Sequence, residues 1–241
     1  MVSAAARKFY GRRQGRPLRS YQQRLLEELL PQIAIPDPSK GRIAKPDELF
    51  SFAVEEVWLE IGFGGGEHLF WQAMRQAETG GAAGLLGVEF FVNGVAKLLR
   101  QAEGTAALER LRLHHGDALD LLEALPDASL DRVFILFPDP WPKLRHHKRR
   151  IVQKSNLDSL ARIMKDGAEL RIASDDPGYQ EWILLHLMHH PAFEWTARGA
   201  RDWLERPADW PQTRYEKKAL AAGRRPIYLS YERKARRCDS L

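Results

Sequence analysis

Short apolar runs and longer amphipathic segments alternate along the chain between residues 57 and 189. Apolar runs of this length predict buried strands, and segments with apolar residues three and four apart predict helices. The predicted strands are 57–61, 84–90, 111–115, 132–137 and 168–173, and the predicted helices are 67–77, 92–102, 118–124, 153–165 and 177–189. This alternation predicts an α/β fold with a mostly parallel sheet and helices on both of its faces.

The two ends of the chain depart from this pattern. Two closing strands are expected at 193–196 and 226–231, and the second is expected at the edge of the sheet, after a loop rich in tryptophan and proline. The first 26 residues hold seven arginines or lysines and no acid, and a helix is expected at 21–30, followed by an irregular proline-rich connector. We therefore divide the chain into a basic N-terminal arm, helix and connector at 1–50 and a main domain at 51–241.

Composition narrows the class of protein. Hydrophobic residues make up 44% of the 241 residues, which is typical of a globular chain. Cys238 is the only cysteine, so an intrachain disulfide and a cysteine-based zinc site are excluded, and a reducing compartment, the cytoplasm, is expected. No apolar stretch reaches the length of a membrane span, and the paired histidines lack a third ligand. Neither a membrane nor a metal is therefore expected as a partner.

A carboxylate stands at or just beyond the end of each of the first five predicted strands. These residues are Glu60, Glu89, Asp117, Asp139 and Asp175. Ligands of open parallel sheets bind beyond the carboxyl ends of the strands, so five acids there predict a binding site on one rim. Asp117 could instead cap the helix that begins at residue 118, whereas Asp176 is the expected cap of the helix after Asp175. Asp175 is left without a local role.

The turn after the first strand indicates which cofactor the rim would take. Its sequence is Gly62-Phe-Gly64-Gly-Gly-Glu67, whereas a dinucleotide fingerprint requires glycine at residue 67. An acid at the start of a helix would also occupy the place of a pyrophosphate. S-adenosylmethionine, which has cationic groups and no phosphate, fits better. Glu89 could take its ribose hydroxyls and Asp117 its adenine amino group, and Gly62 and Gly64 would allow close approach of the backbone.

The fourth strand leads into an acid and an aromatic residue and then into a basic run. Asp139 and Trp141 lie between prolines, and arginine, lysine and histidine dominate 143–150. An acid beside a flat aromatic suits chemistry on a planar group, and the cations suit a polyanion, so we expect an enzyme that acts on a nucleobase. Trp141 could stack on the base or pack within the loop. The cations expected to meet phosphates are Lys143, Arg145, Lys148, Arg149 and Arg150.

The segments Glu60-Ile-Gly-Phe-Gly64, Gly87-Val-Glu89 and 137–150 resemble the bacterial tRNA (guanine-N7-)-methyltransferases, and the likeness extends over about residues 7–233. Ala173-Ser-Asp175 and Thr213-Arg-Tyr-Glu216 also match. The resemblance implies a Rossmann-like S-adenosylmethionine methyltransferase fold with seven strands, a catalytic domain at 51–241 and methylation of guanine N7 at position 46 of the tRNA variable loop. This chain departs from the family pattern at His147, where asparagine is common.

The resemblance also implies roles for individual residues. The cofactor would be held by Glu60, Glu89, Asp117 and Asp139, and Asp139 would also be the catalytic acid. The substrate would lie near Lys143, Asp175, Thr213, Arg214, Tyr215 and Glu216. Guanine N7 is a lone pair without a proton, so the reaction needs no strong base, and Asp139 would stabilise the positive charge that develops on the purine. Asp175 or Glu216 would bond the N1 and N2 edge.

Two alternatives stay open at this point. The segment 138–141 loosely matches the Asp-Pro-Pro-Tyr loop of enzymes that methylate exocyclic amines of nucleic-acid bases. A non-catalytic RNA-binding protein with a relic cofactor site is the other alternative. The sequence also leaves open whether the protein is a monomer or a homodimer.

Overall fold

A computed structural model describes residues 13–236 and contains one seven-stranded sheet. The strands are β1 Glu56–Ile61, β2 Ala83–Glu89, β3 Leu111–His115, β4 Leu130–Leu136, β5 Met164–Ser174, β6 Phe193–Trp195 and β7 Ile227–Arg233. Their order is β3-β2-β1-β4-β5-β7-β6; the first five are parallel, and β7 is antiparallel to both of its neighbours. The predicted α/β class and the mostly parallel, seven-stranded sheet are confirmed.

Helices cover both faces of this sheet, as the alternation predicts. They are α1 Ser20–Arg24, α2 Glu67–Thr79, α3 Val92–Ala102, α4 Ala118–Ala124, α5 Lys154–Ile163, α6 Pro177–Met188, α7 Arg201–Leu204 and α8 Arg214–Ala221. Successive side chains of a strand point to opposite faces, so Leu59 lies in the apolar cluster with α4, α5 and α6, whereas Trp58 lies in the cluster with α2, α3 and residues 25–29. The helix predicted at 21–30 is α1 continued by a π turn, Leu25–Leu29.

The predicted place of the last strand is wrong. β7 does not lie at the edge of the sheet; it lies between β5 and β6, and the three-residue β6 forms the edge. The reason is burial on both faces, since Tyr228 and Leu229 belong to opposite apolar clusters and are both buried. A nearly continuous apolar run is typical of an interior strand.

Part of the basic arm packs against α3. The carbonyl of Arg13 accepts a hydrogen bond from the backbone N–H of Val92 at 3.1 Å, and the N–H of Gly15 donates to Asn93 Oδ1 at 2.7 Å. Residues 13–16 therefore lie beside the end of β2. Arg7, Lys8 and Arg12, three of the seven cations of the basic arm, lie outside the described residues, as does Cys238.

Candidate active site

The turn between β1 and α2 is tight and is packed directly against α3. Gly64 has φ +57°, in the left-handed region that favours glycine. A Cβ atom on Gly94, near the start of α3, would lie 2.1 Å from the carbonyl oxygen of Gly64. Glycine at both positions is therefore what allows the helix to support the turn, and the turn presents bare backbone at the end of β1.

Glu89, at the end of β2, is fixed by two backbone groups. Its Oε2 accepts from the N–H of Gly64 at 2.7 Å, and its Oε1 accepts from the N–H of Phe91 at 2.8 Å. Burial raises the pKa of Glu89, these N–H groups oppose that rise, and the charge of Asp139 adds to it. The carboxylate is thus held against the glycine turn, within electrostatic reach of Asp139.

Asp139 lies on a loop whose two ends are anchored. Phe137 and Trp141, on either side of it, have φ of +51° and +44°. The N–H of Phe137 donates to Ala173 at 2.8 Å, and Arg150 Nε donates to the Pro140 carbonyl at 2.8 Å. Desolvation raises the pKa of Asp139, and among residues 13–236 no donor or cation contacts its carboxylate. A cationic ligand at this solvent-exposed position would offset the partial desolvation of the carboxylate.

The next two rim acids have protein partners. Asp117 caps α4, because its Oδ1 accepts from the N–H of Leu119 at 2.9 Å, which is the local alternative that the sequence suggested. Asp175 has a partner that is distant in sequence: its Oδ2 lies 2.6 Å from Nε of Arg224. No sequence pattern indicated this pair, since 49 residues separate the two positions.

Glu60 lies below the rim and not on its open surface. Its side chain is 3% exposed, and its Oε2 lies 2.7 Å from Nδ1 of His68, which is equally buried. His68 is on the first turn of α2, two residues after Gly66. No sequence pattern indicated a role for this histidine, although its place one residue after Glu67 puts it at the start of the predicted helix.

The segment from Thr213 to Glu216 meets the glycine turn. Thr213 Oγ1 caps α8 by accepting from the N–H of Glu216 at 3.3 Å. The ring of Tyr215 lies over the turn, 3.1 Å from the place of a Cβ on Gly64, and Nε of Arg214 lies 3.6 Å from the Glu67 carboxylate. α8 was not predicted, yet it is the element that brings the predicted substrate residues to the predicted cofactor turn.

Glu67 lies at the start of α2, where cations of the chain itself pair with its carboxylate. Lys97 donates a hydrogen bond to its carboxylate, and Arg214 lies close by. A helix N-terminus is a favourable place for an anion, and here a protein carboxylate fills it. This arrangement agrees with a cofactor that brings no phosphate to the turn.

The basic run forms a 3₁₀ turn over Leu144–Arg149 and is mostly exposed. Arg149 packs its guanidinium over the Trp141 ring at 4.9 Å, so this indole takes part in loop packing. The expectation that Arg150 meets phosphates is wrong. Arg150 is 3% exposed and lies over the rings of Tyr179 and Trp182, because its role is to hold the loop through Pro140.

Neither a metal site nor a membrane span is found in the described part of the chain. Within 13–236, no group of three or more histidine, cysteine or acidic side chains is arranged to hold a metal ion. None of the helices in that part of the chain is long and apolar enough to cross a membrane.

The sequence and the fold of this chain are similar to those of known proteins. A family model described as "Putative methyltransferase" matches residues 54–229. The tRNA (guanine-N(7)-)-methyltransferase of Rhodospirillum rubrum is 52% identical over 234 residues, covering 96% of this chain and 90% of the relative. The enzyme of the same name from Paramagnetospirillum magneticum is 48% identical over 235 residues, covering 98% and 96%. Among solved structures, the [4+2]-cyclase SpnF matches with a TM-score of 0.50 and 15% identity, covering 83% of this chain and 80% of that one, and shows the fold alone.

Proposed function

The chain belongs to the tRNA (guanine-N7-)-methyltransferase family, and we propose that it moves a methyl group from S-adenosylmethionine to N7 of a variable-loop guanine in tRNA. The observation that carries the proposal is the Asp139 carboxylate, which no donor or cation contacts within residues 13–236. It lies within electrostatic reach of Glu89, on a loop that leads into exposed cations. A site with one uncompensated negative charge suits a reaction whose reactants and product carry positive charge.

The residues at the ends of β1, β2 and β3 fit the cofactor. The Glu89 carboxylate accepts short bonds from the N–H groups of Gly64 and Phe91. A carboxylate offers about four acceptor sites, so it can also accept from ribose hydroxyls. Gly62 and Gly64 leave the backbone of the turn open to a close ligand. Asp117 uses one oxygen to cap α4, and the other can accept from the adenine amino group.

The chemistry asks for charge stabilisation and alignment. S-adenosylmethionine supplies an electrophilic methyl group on a positively charged sulfur. The N7 lone pair would form the new bond to carbon while sulfur kept the electrons of the broken bond, so the positive charge would pass to the purine and no proton would be removed. Asp139 stabilises that charge, and the anchored loop keeps the carboxylate in place. Alignment of N7 with the methyl group contributes through proximity.

Asp175 is the better placed of the two acids considered for the guanine edge. Its side chain is 22% exposed, whereas that of Glu216 is 5% exposed and accepts from Arg206 Nε at 3.1 Å. The N1–H and N2–H donors of guanine resemble two adjacent N–H groups of a guanidinium. Because Asp175 binds the guanidinium of Arg224, its carboxylate can also bind that edge of guanine. In this account Glu216 shapes the segment that carries Tyr215, and Lys143 meets the RNA backbone. We place the activity in the cytoplasm, where tRNA is found.

Calorimetry with S-adenosylhomocysteine tests the cofactor site. Replacing Glu89 by alanine removes charge-assisted bonds, each of which contributes about 1.5–3 kcal/mol, so we expect affinity to fall at least tenfold in a folded variant. Unchanged affinity would move the cofactor away from the end of β2.

Nucleoside analysis of tRNA treated with the wild type separates N7 methylation from methylation of an exocyclic amine, and the absence of any methylated product would favour a non-catalytic protein.

A further inference from the structure

A series of hydrogen bonds, buried where it begins at Glu60 and His68, runs from the end of β1 through the backbone at 209–210 to α8. His68 links Glu60 to Gln72: Nδ1 lies 2.7 Å from the carboxylate and Nε2 lies 3.1 Å from the Gln72 amide nitrogen. The same amide nitrogen donates to the carbonyl oxygen of Asp209 at 2.9 Å. His68 and Gln72 are each 2% exposed. The cofactor strand is therefore bonded to a loop 137 residues away from Gln72 in sequence.

The bonding pattern assigns the donors. Gln72 has two N–H donors, which serve the Asp209 carbonyl and Nε2 of His68, so Nε2 is an acceptor and the histidine proton is on Nδ1. Nδ1 then donates to Glu60. Because a buried carboxylate needs a donor to offset lost hydration, His68 fixes both the position and the orientation of Glu60.

Beyond Asp209 the series continues to the proposed substrate segment. Arg206 donates from one nitrogen to the carbonyl oxygen of Trp210 at 2.6 Å and from another to Glu216 at 3.1 Å. The indole of Trp210, 3% exposed, packs edge-on against His68 with ring centres 5.8 Å apart. Hydrogen bonds and ring packing thus both connect α2 to the start of α8.

We infer that His68 and Gln72 are positioning residues that couple the cofactor turn to the Thr213–Glu216 segment. The inference rests on the proposed function, because it takes the turn as the cofactor site and the segment as part of the substrate site. Neither side chain reaches the open rim, since both are buried, and each acts through another residue: His68 through Glu60, and Gln72 through the loop that carries Trp210.

Two substitutions of similar shape test the two links of the series, the one from His68 to Glu60 and the one from Gln72 to the loop at residue 209. His68→Phe keeps a ring against Phe134 and Trp210 and removes both hydrogen bonds; we expect S-adenosylhomocysteine to bind about tenfold more weakly or worse. Gln72→Met leaves the bond between His68 and Glu60; we expect a several-fold rise in KM for tRNA with cofactor affinity within twofold of the wild type. The changes in tRNA KM should be less than multiplicative in the double variant, since both interrupt one series.

Rescue separates positioning from core packing. His68→Asn places an amide N–H near the position of Nδ1, so cofactor affinity should recover toward the wild-type value while the tRNA KM stays raised. The matched control is His190→Phe, which alters another buried histidine that contacts a carboxylate, Asp158, away from the site. This control should lower the melting temperature and leave cofactor affinity and KM unchanged.

The outcomes distinguish this inference from the proposed function. If the His68 and Gln72 variants lose only thermal stability, with cofactor affinity and tRNA KM within twofold of the wild type, the series is structural and the inference is overturned. If His68→Phe does not fold, Gln72→Met still decides the link to the substrate segment. A wild-type protein that makes no 7-methylguanosine would instead overturn the proposed function, whatever the variants do.

Discussion

Individual acids on the rim differ in how far the protein itself satisfies them. Asp117 caps a helix, Asp175 pairs with Arg224, and Glu89 accepts two backbone bonds. Asp139 alone among these has no donor within residues 13–236. A carboxylate that is partly desolvated and that no described donor contacts destabilises the folded protein, and that cost is expected where function requires the charge.

Asp139→Asn should lower the rate of methyl transfer about 10²-fold, the scale of losing one electrostatic stabiliser. The substitution keeps the shape of the side chain and removes its charge. A single-turnover assay with saturating tRNA and cofactor isolates the chemical step from binding and product release. A rate near that of the wild type would leave Asp139 as a residue that only shapes its loop.

The same substitution should make the free protein more stable at pH 7. Desolvation raises the pKa of Asp139 above 3.8, so the folded state binds this proton more tightly than the unfolded state does. The wild type therefore loses stability as pH rises from about 3.8 through the raised pKa, and Asp139→Asn removes that loss. Urea midpoints should be higher for the variant at pH 7, and the gap should close as pH falls toward 4. A constant gap across this range would contradict the assignment.

Among the elements, α3 supports the cofactor turn by direct backbone contact. Gly94→Ala would place a methyl group 2.1 Å from the carbonyl oxygen of Gly64, so the helix or the turn must move. We expect at least a tenfold loss of S-adenosylhomocysteine affinity by calorimetry, because the Glu89 bond to Gly64 is part of the displaced contact.

A second helical glycine provides the control for that substitution. On Gly178, in α6, a Cβ would come no closer than 3.6 Å to the Asp176 carboxylate. Gly178→Ala should therefore bind the cofactor as the wild type does and gain about 0.5–1 kcal/mol in the free energy of unfolding from its lower chain entropy when unfolded. Equal affinity for the two variants would show that contact between α3 and the turn is not needed for binding.

The elements that the sequence predicts well are those with a local signal. The bounds of α3, β3 and α4 match the prediction to the residue, and Asp117 and Asp176 cap the helices expected of them. The predicted position of β7 is wrong, because strand order depends on which faces of the sheet other elements cover. α8 was missed because it is short and half of its eight residues are charged, so it offers few apolar positions from which to predict a helix.

The residues of the candidate site also differ in whether the sequence predicts them. Rim acids at strand ends are visible in the sequence, because topology alone brings those ends together. The pairs of Glu60 with His68 and of Asp175 with Arg224 are not visible, because each partner is supplied by tertiary packing. Arg150 belonged to a basic run in sequence, and only the structure separates it from its exposed neighbours.

On the scale of the whole molecule, positive charge is concentrated where the RNA is expected to lie. The chain has 37 basic and 32 acidic residues, and the exposed cations Lys143, Arg145 and Lys148 follow the Asp139 loop. Residues 13–16 contact α3 beside Glu89. A truncation that is meant to probe only RNA binding must therefore end before residue 13.

Replacing these three cations by glutamine should weaken tRNA binding and reduce its salt dependence. Each lost phosphate contact lowers the slope of log affinity against log salt by about 0.7–0.9, so we expect a total reduction of about two to three. Deleting residues 1–12, which remove Arg7, Lys8 and Arg12, should act in the same direction. Cofactor affinity should stay unchanged in both proteins.

A matched triple substitution controls for net charge. Lys40, Lys154 and Arg201 have side chains that are 82%, 79% and 90% exposed and lie outside the proposed RNA surface. Their replacement by glutamine removes the same charge and should leave the salt slope nearly as it is in the wild type. If both triples changed the slope equally, the attraction would come from net charge and not from a defined surface.

The identity of the methylated atom tests the central claim most directly. The purified protein would be given S-adenosylmethionine with a methyl label and an unmodified tRNA, and then the same tRNA carrying 7-deazaguanine at the variable-loop position. The account predicts one 7-methylguanosine in the first tRNA and none in the second, because carbon at position 7 has no lone pair to attack. Label on an exocyclic amine, or equal labelling of both tRNAs, would contradict it.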